Sequence, residues 1–122
     1  MARNDALKDT LADRLSRSSE ITITVTGRKS GRSISLPIWF VWDHGTLYLL
    51  PVKGSDTQWY KNVLKNPSMK IEAGGAKGDA KVSAVTDPKE VSAVVDRFRA
   101  KYAGDVKKYY SKFDVAVVTR IR

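Results

Sequence analysis

Ile21-Thr22-Ile23-Thr24-Val25-Thr26-Gly27-Arg28-Lys29-Ser30-Gly31-Arg32 is the stretch whose reading decides the fold. From Ile21 to Thr26, β-branched apolar residues alternate with threonines, the period of a half-buried strand. The pattern then stops at three cations, two glycines and one hydroxyl, with no acid and no large apolar side chain. Reversing a chain needs only one or two turn formers. The additional charge, next to glycine-exposed amides, marks a place suited to an anion. A cofactor phosphate, a nucleic-acid backbone and plain solvent all remain open.

Downstream, Ile34 to Asp43 reads as one strand with Ile34, Leu36, Ile38, Phe40 and Trp42 on one face and Trp39 and Val41 on the other. A strand apolar on both faces is covered on both sides, and Pro37 marks an edge or bulge. His44-Gly45 turns the chain into a third strand, residues 46–52, which Lys53-Gly54 ends. Ser55 and Gln58 have capping-box spacing for a helix that carries Trp59, Tyr60, Val63 and Leu64 and stops before Pro67. Residues 69–73 and 80–85 form two further strands around a glycine-rich loop at 74–78. Asp87, Pro88 and Glu90 start a helix with an N-cap, a proline at its first position and an acid in its first turn. Gly104 separates it from a shorter helix, and residues 113–119 form a last strand.

Upstream, Leu7, Leu11 and Leu15 lie on one face of an amphipathic helix over residues 4–18. Short connections imply antiparallel neighbours, and a six-stranded antiparallel sheet closes to remove its edges. The expectation is an α+β fold: one domain over residues 1–122, a six-stranded, mainly antiparallel split β-barrel (about 20–122) with flanking helices.

The 122 residues include no cysteine, which excludes disulfides, thiolate metal sites and a cysteine nucleophile. No apolar run approaches the roughly 20 residues that span a bilayer, and the N-terminus has no apolar signal-peptide core. A cytoplasmic protein is expected. The net charge of +9 favours anionic partners. The single histidine, His44, sits in a turn, so neither a Ser-His-Asp triad nor a metal site is expected.

Three features remain. Arg28 and Lys29 could share a cleft with Lys53, because in a meander the start of strand two lies near the end of strand three. Trp39 and Trp59 add flat apolar surface, and an anion site beside aromatic platforms suits a phosphate-bearing ring system. Arg97, Arg99, Lys101, Lys107, Lys108 and Lys112, interleaved with Tyr102, Tyr109 and Tyr110, fit single-stranded nucleic acid or an amphipathic helix whose tyrosines lean on the barrel or form the lid of a substrate pocket. Without a recognised nucleic-acid motif, nucleic-acid binding is the less favoured of these.

The ordered set Thr26–Arg32, Leu36-Pro37-Ile38-Trp39-Phe40, Lys53-Gly54, Trp59-Tyr60-Lys61-Asn62-Val63-Leu64 and Asn66-Pro67 resembles the deazaflavin-dependent nitroreductase family. That family lies within the flavin-binding split-barrel group of the pyridoxamine phosphate oxidases. The resemblance implies the deazaflavin coenzyme F420, with Arg28, Lys29, Ser30 and Gly31 at its anionic part. Pro37, Ile38, Trp39, Leu50, Pro51, Val52, Lys53, Trp59, Tyr60 and Asn62 would line the groove. It implies hydride transfer to a quinone-like or nitro-aromatic acceptor, a pocket including Trp39, Tyr109 and Tyr110, and a homodimer. Ile34 and Val52 stand where relatives often carry arginine and serine. Related barrels bind FMN or haem, so an FMN enzyme of this fold and a non-catalytic binder are the alternatives, ahead of nucleic-acid binding.

Overall fold

A computed structural model describes residues 10–121. It contains eight strands in two four-stranded antiparallel sheets, rather than the six of a single closed sheet. The first sheet has the order β2-β1-β5-β6: β1 is Ile21–Thr26, β2 Ser33–Ile38, β5 Ser68–Ala73 and β6 Ala76–Lys81. The second has the order β3-β4-β8-β7, with β3 Val41–Asp43, β4 Thr46–Leu49, β7 Ser83–Val85 and β8 Ala116–Arg120. The helices are α1 (Leu11–Leu15), α2 (Gln58–Lys65), α3 (Pro88–Tyr102) and α4 (Asp105–Tyr109), with a 3-10 turn at Gly54–Asp56. Of the expected helix at 4–18, residues 4–9 lie outside the described residues, and the rest is helical only over Leu11–Leu15.

The difference in strand count has one cause, repeated twice. The expected strand at 34–43 breaks at Trp39-Phe40, where the chain leaves the first sheet and enters the second. The expected strand at 80–85 breaks at buried Val82, again where the chain changes sheets. Thr119 fixes this second crossing, its hydroxyl donating to the Lys81 carbonyl at 2.7 Å. A crossing residue lies against apolar surroundings whichever sheet it belongs to, so the alternation of side chains continues through the break.

The second sheet is the one covered on both faces. Ile21, Ile23, Val25, Met69 and Ile71 of the first sheet pack against Phe40, Leu47, Leu49 and Val117 in one core. Val41, Leu50 and Ala116 pack with Val91, Val94, Val95 and Phe98 of α3 in a second core. The hairpin turns are tight: His44 and Gly45 both have positive φ (48° and 80°), the pairing of a two-residue turn whose twist matches its strands. Asp87 caps α3 as expected, accepting from the Glu90 amide at 3.1 Å. Ser55 does not cap α2; Thr57 occupies the N-cap position, and Ser55 turns to Asp114.

Candidate functional site

β1 and β2 pair with Thr26 opposite Ser33 at one end and Ile21 opposite Ile38 at the other. The basic loop caps the first end, and a cleft of about 350 Å³ opens at the second. The two are separated by the length of β2, five steps of ~3.3 Å or roughly 16 Å.

The loop is held from within. Gly27 donates to the Arg32 carbonyl at 2.8 Å and Gly31 to the Gly27 carbonyl at 2.9 Å. The Arg32 amide donates to Ser30 Oγ at 3.2 Å. These bonds, with that of the Arg28 amide, leave the Lys29 and Ser30 amides as the open donors, fewer than the glycines suggested. Arg28 is clamped to α2: its amide and guanidinium donate to Asn62 Oδ1 at 3.1 and 2.8 Å, and its other terminal nitrogen to Gln58 Oε1 at 2.8 Å. Gln58 and Asn62 lie at i and i+4 on one helix face. Both are neutral, so the guanidinium is fixed in place with no acid among the described residues paired to it. Lys29 is exposed beside it.

The route expected to bring Lys53 beside Arg28 is not the one the chain takes. β2 and β4 lie in different sheets, so the meander argument for placing Lys53 beside Arg28 does not hold. The Lys53 amide donates instead to Thr57 Oγ1 at 2.8 Å, in the turn that leads into α2.

The cleft is lined by Pro37, Ile38, Trp39, Leu50, Val52, Trp59, Tyr109 and Tyr110, together with Glu20 and Asp105. Leu50, Trp59 and Tyr110 are buried and form its floor, whereas Val52 and Tyr109 are exposed at its rim. Pro51 and Tyr60 are buried and not among the lining residues, and Tyr60 belongs to the inter-sheet core. Asn62, also expected to line the groove, is buried under the Arg28 clamp.

Trp39 is the centre of an aromatic cluster. One face stacks on Tyr102, with centroids 4.4 Å apart and planes 12° apart. Tyr109 meets it edge-on at 5.7 Å, and Tyr110 lies at 6.1 Å. The Tyr102 hydroxyl accepts from the Phe40 amide at 3.1 Å; for its one proton the Phe40 carbonyl is at 2.8 Å and the Ser19 carbonyl at 3.1 Å. Lys101 donates to the same Phe40 carbonyl at 2.8 Å, with its ammonium 3.9 Å from the Phe40 ring centroid. Partial burial pulls the Lys101 pKa below the usual lysine value. Burial also raises the Tyr102 hydroxyl, opposed by its bond to Phe40 and assisted by the nearby Glu20 charge. Burial pushes the Tyr110 hydroxyl well up, so it stays neutral and available as a donor. Sequence reading missed Glu20 and Asp105 as lining residues; it placed Tyr102 in the basic-aromatic stretch without foreseeing its stack on Trp39.

Behind the cleft, segment 110–114 is strapped to segment 52–56. Ser111 donates its amide to the Val52 carbonyl at 2.9 Å, and Lys53 bridges to Lys112. The amide and hydroxyl of Ser55 donate to Asp114 at 2.9 and 2.5 Å. Gly54 permits this contact: a Cβ there would lie 2.1 Å from Asp114 Oδ1.

The basic-aromatic stretch is largely spent on internal contacts. Arg97 pairs with Asp43, Arg99 with Asp96, Lys112 with Asp56, and Lys101 with Phe40. A nucleic-acid backbone would have to compete for most of these cations. His44 sits in its turn as expected, 92% exposed and paired with Asp43. Among the described residues no group of three or more His, Cys, Asp or Glu could hold a metal ion, and no helix is long and apolar enough to cross a membrane.

Solved structures share this arrangement at low sequence identity. An F420-H2-dependent reductase (FDR-A) superposes with a TM-score of 0.65 at 19% identity, over 84% of this chain and 94% of that one. An FAD-binding protein from Mesorhizobium loti gives 0.63 at 14%, over 88% and 84%. A structure described as a domain-swapped dimer gives 0.66 at 20%, over 84% and 80%. At these identities the likeness shows the split-barrel-like fold. No curated protein matches the chain. The model of a family described as uncharacterized proteins conserved in bacteria, DUF2255, matches residues 11–119, and the chain belongs to that family.

Proposed function

We propose that this protein is an oxidoreductase that holds a deazaflavin coenzyme of the F420 kind in the groove between the basic loop and the aromatic cleft. It would pass a hydride from that coenzyme to a quinone-like or nitro-aromatic acceptor. The observation that carries the reading is the joining of two sites by α2. Gln58 and Asn62 fix the Arg28 charge at one end, while Trp59, on the same first turns, lines the cleft at the other. A ligand with an anionic tail and a flat ring fits that division.

In this reading Arg28, Lys29 and the open amides of Lys29 and Ser30 bind the anionic part by charge-assisted hydrogen bonds. Pro37, Ile38, Leu50, Val52 and Trp59 enclose the ring. Trp39, Tyr109 and Tyr110 receive the acceptor, and Tyr110, kept neutral by burial, can donate a hydrogen bond to an acceptor oxygen. The coenzyme supplies the hydride; the protein's part is alignment and exclusion of water, which needs no triad and no metal. The two exposed rim residues, Val52 and Tyr109, are surface that a second copy of the chain would cover, and a homodimer is part of the proposal.

FMN is the second reading, because the same loop would take its phosphate. A non-catalytic binder is the third. Equilibrium titration with reduced F420 and with FMN, followed by quenching of tryptophan fluorescence, distinguishes the first two. Consumption of reduced coenzyme on adding a naphthoquinone then separates enzyme from binder. If neither cofactor binds at micromolar concentration while an oligonucleotide does, the groove has been misread.

A further inference from the structure

The charges along the groove are segregated, and this bears on which acceptor the cleft admits. The protein as a whole is strongly basic, at +9, yet the only charged side chains lining the cleft are the carboxylates of Glu20 and Asp105. Among the described residues, neither has an ion-pair or side-chain hydrogen-bond partner. Lys108 stands 5.3 Å from the Tyr109 ring centroid but is not among the lining residues. Lys101 and Lys112, which flank the aromatic cluster in sequence, are turned to the Phe40 carbonyl and to Asp56. Arg28 and Lys29 belong to the loop at the other end of β2 and are not among the lining residues. The wall that meets the acceptor is therefore negative in a protein that is otherwise positive.

We infer that Glu20 and Asp105 select the acceptor by charge, admitting uncharged aromatic rings and turning away rings that carry a carboxylate or sulfonate. The inference rests on the proposed function, since it concerns the acceptor end of that groove. Two carboxylates about 6 Å from a bound anion, both in contact with water and so acting at about its dielectric, cost on the order of tenfold in affinity. The same segregation orients the coenzyme, its anionic tail being drawn to the loop and repelled from the rim.

The test uses the full chain and two ring probes, 2-methyl-1,4-naphthoquinone and 1,4-naphthoquinone-2-sulfonate, with saturable tryptophan quenching as the readout. The wild-type protein should bind the neutral ring more tightly. The Glu20→Gln, Asp105→Asn double variant should gain roughly tenfold for the sulfonate and change by less than about twofold for the neutral ring. Both replaced side chains are exposed, and Gln and Asn preserve their shape, so folding should not confound the result. If both probes bind and the double variant leaves their ratio unchanged, charge selection is wrong while the cleft remains a ring site. If neither probe binds, the proposed acceptor site itself falls, and the inference with it.

Discussion

The loop end and the aromatic end of the proposed groove are built on different physics. At the loop, a cation is held by two neutral amides on a helix face, in contact with water, and little apolar surface depends on it. At the aromatic end, a stacked tryptophan–tyrosine pair and a shared tyrosine hydroxyl pin the backbone where the chain crosses between sheets. The first end can lose function without losing the fold. At the second end, the groups that shape the cleft also support the core.

The sharpest way to break this comparison is Tyr102→Ala, which removes both the stack on Trp39 and the bridge to Phe40. It should cost about 3 kcal/mol, read as a fall in the urea midpoint with unchanged slope. A loss no larger than an exposed substitution would mean that the crossover is held by something else. Asn62→Ala comes next. It leaves the Arg28 amide and part of the guanidinium without partners, at a cost of about 2 kcal/mol, and it should also weaken binding of a phosphate-bearing cofactor. Tyr102→Phe isolates the hydroxyl: it keeps the stack, and about 1 kcal/mol is expected, with ring binding retained.

The smallest effect concerns the strap behind the cleft. Asp114 titrates below its ordinary value of 3.8, first because the Ser55 hydroxyl donates to it. A carboxyl whose pKa falls on folding adds stability above its unfolded value, and that contribution is lost as pH drops through the lower folded value. The side chain is 39% exposed, so solvent screening limits the contribution to less than about 1 kcal/mol. Asp114→Asn should be slightly less stable at neutral pH and show a flatter stability curve below about pH 4. Equal slopes in acid urea melts would remove Asp114 from the account.

The sequence was most readable where a local pattern coincides with one structural role. Ile21, Ile23 and Val25 alternate with threonines because one sheet face is buried and the other is solvated, and β1 follows them closely. The capping residues of α3 and the His44-Gly45 turn are similarly local. Trp39-Phe40 and Val82 were not readable, because a chain passing between two sheets stays apolar on both sides and keeps its alternation. Eight of the expected groove and pocket residues do meet in one cleft, and four of them, Pro37, Ile38, Trp39 and Trp59, belong to the ordered motifs. Glu20, Asp105 and the role of Tyr102 at the crossing escaped because they depend on contacts between elements far apart in sequence. Tyr102, for example, reaches Phe40 across 62 positions.

The claim that the groove has an anion end and a ring end is tested most directly by one binding comparison. The wild-type protein and an Arg28→Ala, Lys29→Ala variant would be titrated with reduced F420 and, separately, with a deazaflavin ring lacking its phosphate and glutamate tail. The account predicts that the variant loses about ten- to a hundredfold in affinity for the coenzyme and little for the bare ring, while its urea midpoint stays close to wild type. Unchanged coenzyme affinity in the variant would contradict it.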